Sequence, residues 1–365
     1  MENSNKIIIL SPSSMYGGGE VYVKNLILDL KQKTDLEVFL FANNDKLISE
    51  SLLPTQNIIK CHDSASQYNK VLNAIKLNIL IKKYSIDTVF FNGLPESGLL
   101  SFLSLAKKNI CIGHSNEISV TELVKSRSLK NKVLKFIYQR SFDRLDSFIA
   151  INKKARDNIN AAFPGFRRVE VIYNGVPKVK EIENSEQSFI KNKKNEFVIG
   201  RICRLTKEKN VELAIDVVRK LNNPKVKLLI AGDGEYIEFL KDYAQGLNVE
   251  FLGLVSPAIF YHQIDVMLLT TPSDSNADAT PLVISEAMSI GVPTISTCVG
   301  GVPELISNGI DGFLCDDNIE SFCEKISKLM LDSHLLDELS RNAIISYNEK
   351  FTLNLMMNKT LNVIL

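Results

Sequence analysis

The chain has 365 residues, more than the roughly 250–300 at which a single hydrophobic core stops growing, so two domains are expected. Its 43 Lys and Arg against 42 Asp and Glu leave a net charge of +1, which argues against bulk nucleic-acid binding. No apolar run reaches the ~18 residues of a membrane span and MENSNKIIIL has no cleavable-signal pattern, while the six cysteines and four histidines show no ligand spacing; free buried thiols in a cytoplasmic protein are expected, without a metal site.

Short apolar runs alternate with helical patterns along the chain. KIIIL is a strand, and Val23, Leu26, Ile27 and Leu30 then mark one helix face. Between them stand Gly17, Gly18, Gly19 and Glu20. Glycines at a helix mouth allow close approach of backbone to a ligand, and the helix start offers free N–H groups to an anion. A dinucleotide fingerprint is poorly met, because its third glycine falls on Tyr22, and Glu37, 20 residues after Gly17, opens the next apolar run.

EVFLFA, IDTVFFN, NICIGHS, SFIAIN and VEVIYNGV continue the strand series. Residues 178–196 are polar and charge-rich and read as a linker. FVIGRI, KLLIAGDG, VEFLGLV, DVMLLTT and PTISTC then form a second series, and residues 318–365 read as helices. Strands alternating with helices imply parallel sheets, so the expected fold is α/β, with two doubly wound Rossmann-like domains facing across a cleft. The domains are placed at 1–177 and 197–345. For the helix within 346–365 a return to the first domain is left open.

The richest stretch is SDSNADATPLVISEAMSIGVPTISTCVGGVPELISNGIDGFL. Thr280 and Pro281 are the favoured order for N-cap and first helical position. The helix they open is apolar on nearly every side yet contains Glu286, a carboxylate that needs fixed donors. A ribose hydroxyl pair would supply them, as would a neighbouring Lys. Asp278 stands just outside the helix mouth, where amides at Leu282 and Val283 suit a phosphate; an acid there also serves simply to compensate the helix dipole.

These residues resemble the retaining group 1, family 4 glycosyltransferases of GT-B fold. The likeness rests on Asp278, seven residues, then Glu286, followed by AMSIGVP and GGVPELI. It rests also on CRLTKEKN, which keeps Arg204 and Lys209 but has Cys203 and Asn210 where the family has glycine. AGDGEY, Asn174-Gly175-Val176, the N-terminal GGGE and His114 in IGHSNE complete it.

The resemblance implies transfer of a hexose from a UDP- or GDP-sugar to a saccharide acceptor with retained configuration, and no obligatory metal or other cofactor. Arg204 and Lys209 would clamp the donor diphosphate; both are expected on an exposed loop. Glu286 would hold the ribose and Asp278 the transferred sugar. Gly18, Gly19, Gly232, Ala279, Thr280, Leu282 and Val283 would line the donor site, with His114 reaching the sugar and Glu20 serving as an acceptor-side base or only as a first-turn acid. A nucleotide-sugar epimerase and a non-catalytic binding scaffold remain as alternatives.

Residues 121–144 carry Lys125, Arg127, Lys130, Lys132, Lys135, Arg140 and Arg144 against Glu122 and Asp143. Leu129, Val133, Phe136 and Ile137 share one helical face, which either packs on the sheet or lies on an anionic membrane. The relatives' surface-glycan chemistry favours the second: a peripheral enzyme on the inner face of the cytoplasmic membrane, with a lipid-linked saccharide acceptor.

Overall fold

The computed structural model describes residues 5–63, 66–93, 103–114, 129–166, 168–180, 196–275 and 277–365. The chain divides into two compact units, Met1–Tyr173 with Met356–Leu365, and Asn174–Leu355.

Unit 1 is built on a seven-stranded parallel sheet: β1 Lys6–Ser11, β2 Glu37–Ala42, β3 Ile58–Lys60, β4 Thr88–Asn92, β5 Lys108–Gly113, β6 Ser147–Ala150 and β7 Val169–Val171. Their order across the sheet is β3-β2-β1-β4-β5-β6-β7. Unit 2 carries six parallel strands: β8 Phe197–Ile202, β9 Val226–Ala231, β10 Val249–Gly253, β11 Val266–Leu269, β12 Thr294–Thr297 and β13 Gly312–Cys315, ordered β10-β9-β8-β11-β12-β13. Both sheets thus have the doubly wound order with a reversal, between β1 and β4 in unit 1 and between β8 and β11 in unit 2. Helices cover such sheets on both faces, which is why the strands read as continuous apolar runs: Ile7, Ile8, Ile9 and Leu10 are all buried.

One face of the first sheet packs Ile8, Leu10, Phe39, Phe41, Val89 and Phe91 under the helix Gln67–Tyr84 through Ala74, Leu77, Leu80 and Ile81. In unit 2, Val211, Ala214, Ile215 and Val218 of the helix Val211–Leu221 lie on Ile199, Leu228, Ile230 and Val266. The alternation in the sequence located the interior strands; the short β3 and β13 are additions that it did not mark.

Asn174, Gly175 and Val176, read in the sequence as the close of the first domain, pack within unit 2. The Val176 amide donates to Phe351 O at 2.9 Å and its carbonyl accepts from Leu353 N at 3.0 Å. A Cβ on Gly175 would strike the Thr352 carbonyl, so glycine is required there for close approach. The linker's residues 181–195 lie outside the described residues. The helix Leu353–Ile364 contributes Met356, Met357, Thr360, Leu361 and Ile364 to buried positions, and the Tyr22 and Thr360 hydroxyls meet at 2.6 Å within unit 1.

All six cysteines are free. Cys61, Cys111 and Cys315 are buried as expected, Cys203 and Cys323 are half-buried, and Cys298 is exposed. Among the described residues, no helix is long and apolar enough to cross a membrane.

Candidate active site

In unit 2, the charged residues gather at the carboxyl ends of β8 and β11, where the strand order reverses and doubly wound sheets bind ligands. Arg204 follows β8 and Lys209 closes the short turn Lys207–Lys209. Lys209 Nζ lies 2.8 Å from Asp278 Oδ1 and 3.0 Å from the Ala277 carbonyl. The other Asp278 oxygen accepts from the Thr271 hydroxyl at 2.6 Å. Sequence reasoning put Lys209 on an exposed loop; the structure corrects this, since the Lys209 and Asp278 side chains are only 12% and 13% exposed. Closing that ion pair draws the lysine inward. Arg204 is the exposed cation, at 73%, with Glu208 3.8 Å away as its ion-pair partner.

A residue the sequence reading passed over stands beneath them. Arg201, in β8, is 1% exposed and donates to the Lys209 carbonyl at 3.1 Å and to the Thr271 hydroxyl at 3.3 Å. A charged residue inside the run FVIGRI was the available signal, because a buried guanidinium needs acceptors that a strand alone does not provide. It is linked through Thr271 to Asp278, so Arg201, Thr271, Asp278 and Lys209 form one connected polar network.

Glu286 lies in the helix Leu282–Ser289 and accepts from the Tyr261 hydroxyl at 2.9 Å. Burial pushes its carboxyl above the usual range, and Tyr261 offsets only part of that; burial likewise pushes the Tyr261 hydroxyl well up. The donor expected for Glu286 is therefore partly internal, a tyrosine 25 residues earlier. The helix begins one residue later than the Thr280–Pro281 pattern predicts: Pro281 has a helical φ of −68° but a ψ of 116°, so it is the N-cap and not the first helical residue. Leu282 and Val283 are thus its first residues, and their N–H groups have no intrahelical acceptor.

Two glycine turns bring backbone close to this edge. Gly232, after β9, has a φ of +124°, and a Cβ there would strike the Cys203 carbonyl. Gly300 has a φ of +55° and would likewise strike the Asp278 carbonyl, while Gly301 N donates to Ala279 O at 2.8 Å. The glycines of CVGGVPE therefore hold the Asp278–Ala279 loop. A depression of about 350 Å³, lined by Cys203, Arg204, Gly232, Asp233, Leu254 and Val255 among others, opens beside Arg204.

Unit 1 assembles its own set where its strand order reverses. Gly18 and Gly19 begin the helix Gly18–Lys33, with Gly17 as N-cap. Gly18 faces open space, whereas a Cβ on Gly19 would come within 3.3 Å of both Asn92 and His114. His114 follows β5, and its Nε2 is 2.5 Å from Asn92 Oδ1. Burial lowers the His114 pKa to about 4, so the ring is neutral at pH 7. Glu20 accepts from Gly17 N at 2.9 Å and from the Ser11 hydroxyl at 3.3 Å, the bonds of an acid that caps its own helix.

Residues 182–346 match the family described as glycosyl transferases group 1, and residues 16–178 match glycosyltransferase family 4. The chain belongs to the group 1, family 4 glycosyltransferases. Over 72% of each chain, this glycosyltransferase is 26% identical to an uncharacterized glycosyltransferase of Methanocaldococcus jannaschii. It is 23% identical to the capsular polysaccharide biosynthesis glycosyltransferase CapM of Staphylococcus aureus, over 89% of this chain and 88% of CapM. It is 29% identical to the O-antigen biosynthesis glycosyltransferase WbnH of Escherichia coli, over 49% and 48%. Its fold matches the crystal structure of Anabaena HepE in complex with UDP, with a TM-score of 0.79, 19% identity, and 98% and 99% of the two chains covered. The glycosyltransferase thus has the GT-B architecture, and it is a transferase.

Of the basic segment, residues 121–128, with Lys125 and Arg127, lie outside the described residues, as does the side chain of Lys130. The helix Leu129–Phe142 turns Phe142 and Tyr138 to the core and leaves Val133 and Phe136 exposed, at 53% and 59%. The predicted apolar face therefore does not pack wholly on the sheet.

Proposed function

We propose that this glycosyltransferase moves a hexose from a UDP- or GDP-sugar to a saccharide acceptor in the synthesis of a surface polysaccharide, with retained anomeric configuration and without an obligatory metal. The observation that carries the reading is the buried network of Arg201, Thr271, Lys209 and Asp278 at the β8–β11 reversal, with the exposed Arg204 just after β8. Arg204 is free to fold onto a diphosphate, and its charge with that of Lys209 stabilises the leaving phosphate, usually the largest catalytic term in such a site. Glu286 accepts from the ribose hydroxyls and Asp278 orients the sugar. The bond from the anomeric carbon to the phosphate oxygen breaks as the acceptor oxygen bonds the same face, and the departing phosphate takes the acceptor's proton. The depression beside Arg204 is of a size suited to part of a nucleotide. HepE with UDP, CapM with its capsular role and WbnH with its O-antigen role favour this donor and pathway.

The acceptor in this reading is lipid-linked, and the enzyme lies against the inner, anionic leaflet. Exposed Val133 and Phe136 beside Lys132, Lys135 and Arg140 support that. So does the helix Gln67–Tyr84, which exposes Tyr68, Val71, Ile75 and Ile79, carries Lys70, Lys76, Lys82 and Lys83, and has no acidic residue. Apolar and cationic groups on one surface bind anionic lipid at ~1 kcal/mol per cation.

A panel of UDP- and GDP-sugars, with and without saccharide acceptors, tests the reaction. A bound donor at 100 times its Kd raises stability by about 2.7 kcal/mol, visible as a thermal shift. Transfer in the presence of EDTA supports the reading; isomerised donor with no transfer, or no shift with any nucleotide sugar, overturns it. Flotation on anionic vesicles at low salt tests the membrane surface, and Lys132→Glu with Lys135→Glu should abolish it.

A further inference from the structure

Unit 1 contains a hydrogen-bond relay whose direction is set from one end. Glu20 stands at that end, and both oxygens of a carboxylate can only accept. One takes the Gly17 N–H at 2.9 Å, and the other takes the Ser11 hydroxyl at 3.3 Å. Ser11 has a single proton, so with that proton on Glu20 its oxygen turns a lone pair towards Asn92. Asn92 meets it with Nδ2, at 3.0 Å. The other end of the same amide, Oδ1, is then 2.5 Å from His114 Nε2.

A carbonyl oxygen at that distance requires a proton on the ring nitrogen. Burial keeps the ring neutral, so it carries one proton, and Nδ1 is left as a bare acceptor. The ring is also held in place: it meets Tyr22 edge-to-face with centroids 5.6 Å apart, and a Cβ at position 19 would come within 3.3 Å of both the ring and the Asn92 amide. Ser11 ends β1, Asn92 ends β4 and His114 follows β5, so the relay spans the reversal in strand order.

We propose that Glu20 is a positioning residue, which acts through Ser11 and Asn92 to fix His114 as the Nε2–H tautomer and so presents Nδ1 to accept a hydrogen bond from a substrate hydroxyl. The functional part rests on the proposed function together with the family resemblance, which implies that His114 reaches the sugar. The tautomer does not.

Glu20→Gln inverts the relay by the same logic. The Gln oxygen keeps the Gly17 N–H, its amide nitrogen faces Ser11, Ser11 then donates to Asn92, and the Asn92 amide turns its NH₂ to His114. Nε2 must lose its proton to Nδ1. Long-range proton–nitrogen correlation spectra of the ¹⁵N-labelled protein distinguish the two tautomers, with His114→Gln assigning the signal among the four histidines. Wild type should show Nε2–H with Nδ1 unprotonated, and Glu20→Gln the reverse; Nδ1–H in wild type, or an unchanged tautomer in Glu20→Gln, overturns the relay.

With a confirmed donor, Glu20→Gln should lower kcat by about 10²-fold with a smaller change in KM, the kind of loss a misplaced imidazole proton causes. An inverted tautomer with unchanged turnover leaves the relay standing and overturns the role of His114 in transfer.

Discussion

Lys209 and Asp278 are bound to each other at 2.8 Å, each largely removed from solvent, so the cation expected to meet a diphosphate is already neutralised by the acid expected to meet the sugar. In the proposed reaction, donor binding would share or displace this pair, and each partner's role depends on the other's.

The first consequence is for stability. Lys209→Ala leaves Asp278 with the Thr271 hydroxyl but without its counter-ion. Breaking a fully buried pair costs about 3–5 kcal/mol, and a pair with some solvent contact should lose roughly 2–3. Chemical denaturation checks this, and adding Asp278→Ala should recover much of the loss, since the orphaned charge is then gone. A double variant no more stable than Lys209→Ala would show that the pair is not the cause.

Arg204 should behave oppositely. It is largely exposed and its contact with Glu208 is long, so Arg204→Ala should change stability by less than about 0.5 kcal/mol. Turnover should fall by roughly 10²–10³, the scale of losing one preorganised charge-stabilising donor. Steady-state kinetics beside a melting curve separate the two effects.

Glu286 ties binding to pH. Its carboxyl is raised in the folded protein, so the folded state holds that proton more tightly than the unfolded chain. The contribution of Glu286 to stability is then greatest below the ordinary carboxylate range and declines as pH rises through the raised value. Glu286→Gln should therefore stabilise the protein at pH 7 and have little effect near pH 4, measured by melting at the two pH values. Donor KM should rise in the same variant, because a ribose contact is made in ground and transition states alike, whereas Asp278→Ala should lower kcat.

His114 has the opposite sign. Its pKa falls to about 4 from an ordinary 6.5, so the unfolded chain takes up a proton first as the solution is acidified. The stability it supports is complete above about pH 6.5 and is lost as pH falls towards 4, on the order of 2 kcal/mol for a ring that keeps some solvent contact. His114→Gln should flatten this acid limb in urea titrations between pH 7 and 4.5.

Much of the layout was legible because parallel sheets demand apolar strands, and each long strand announced itself as a run such as KIIIL or FVIGRI. Val169–Val171 showed within VEVIYNGV, whereas Ile58–Lys60 and Gly312–Cys315 are too short, and flanked by too many polar residues, to stand out. The site divides in the same way. The family resemblance pointed to Arg204, Lys209, Asp278 and Glu286, but not to their partners, which come from elsewhere in the chain. Tyr261 reaches Glu286 from 25 positions away, and Arg201 and Asp278 meet on Thr271 from different strands and loops. Spacing within a motif carries no information on which distant hydroxyl will fill a buried carboxylate's lone pairs. Nor did it show that Lys209 turns inward, which depends on Asp278 being within reach.

The contact between Tyr22 and Thr360 joins residues 338 positions apart inside one compact unit. On the ribosome, all of unit 2 is therefore made before residues 356–365 emerge to complete unit 1. Until then Tyr22 lacks its hydroxyl partner, and the sites later filled by Met356, Met357, Leu361 and Ile364 stay open. The first unit to be synthesised is the last to be finished. A nascent chain interrupted within unit 2 would carry an unclosed core, a form that chaperones and proteases can distinguish from the completed enzyme.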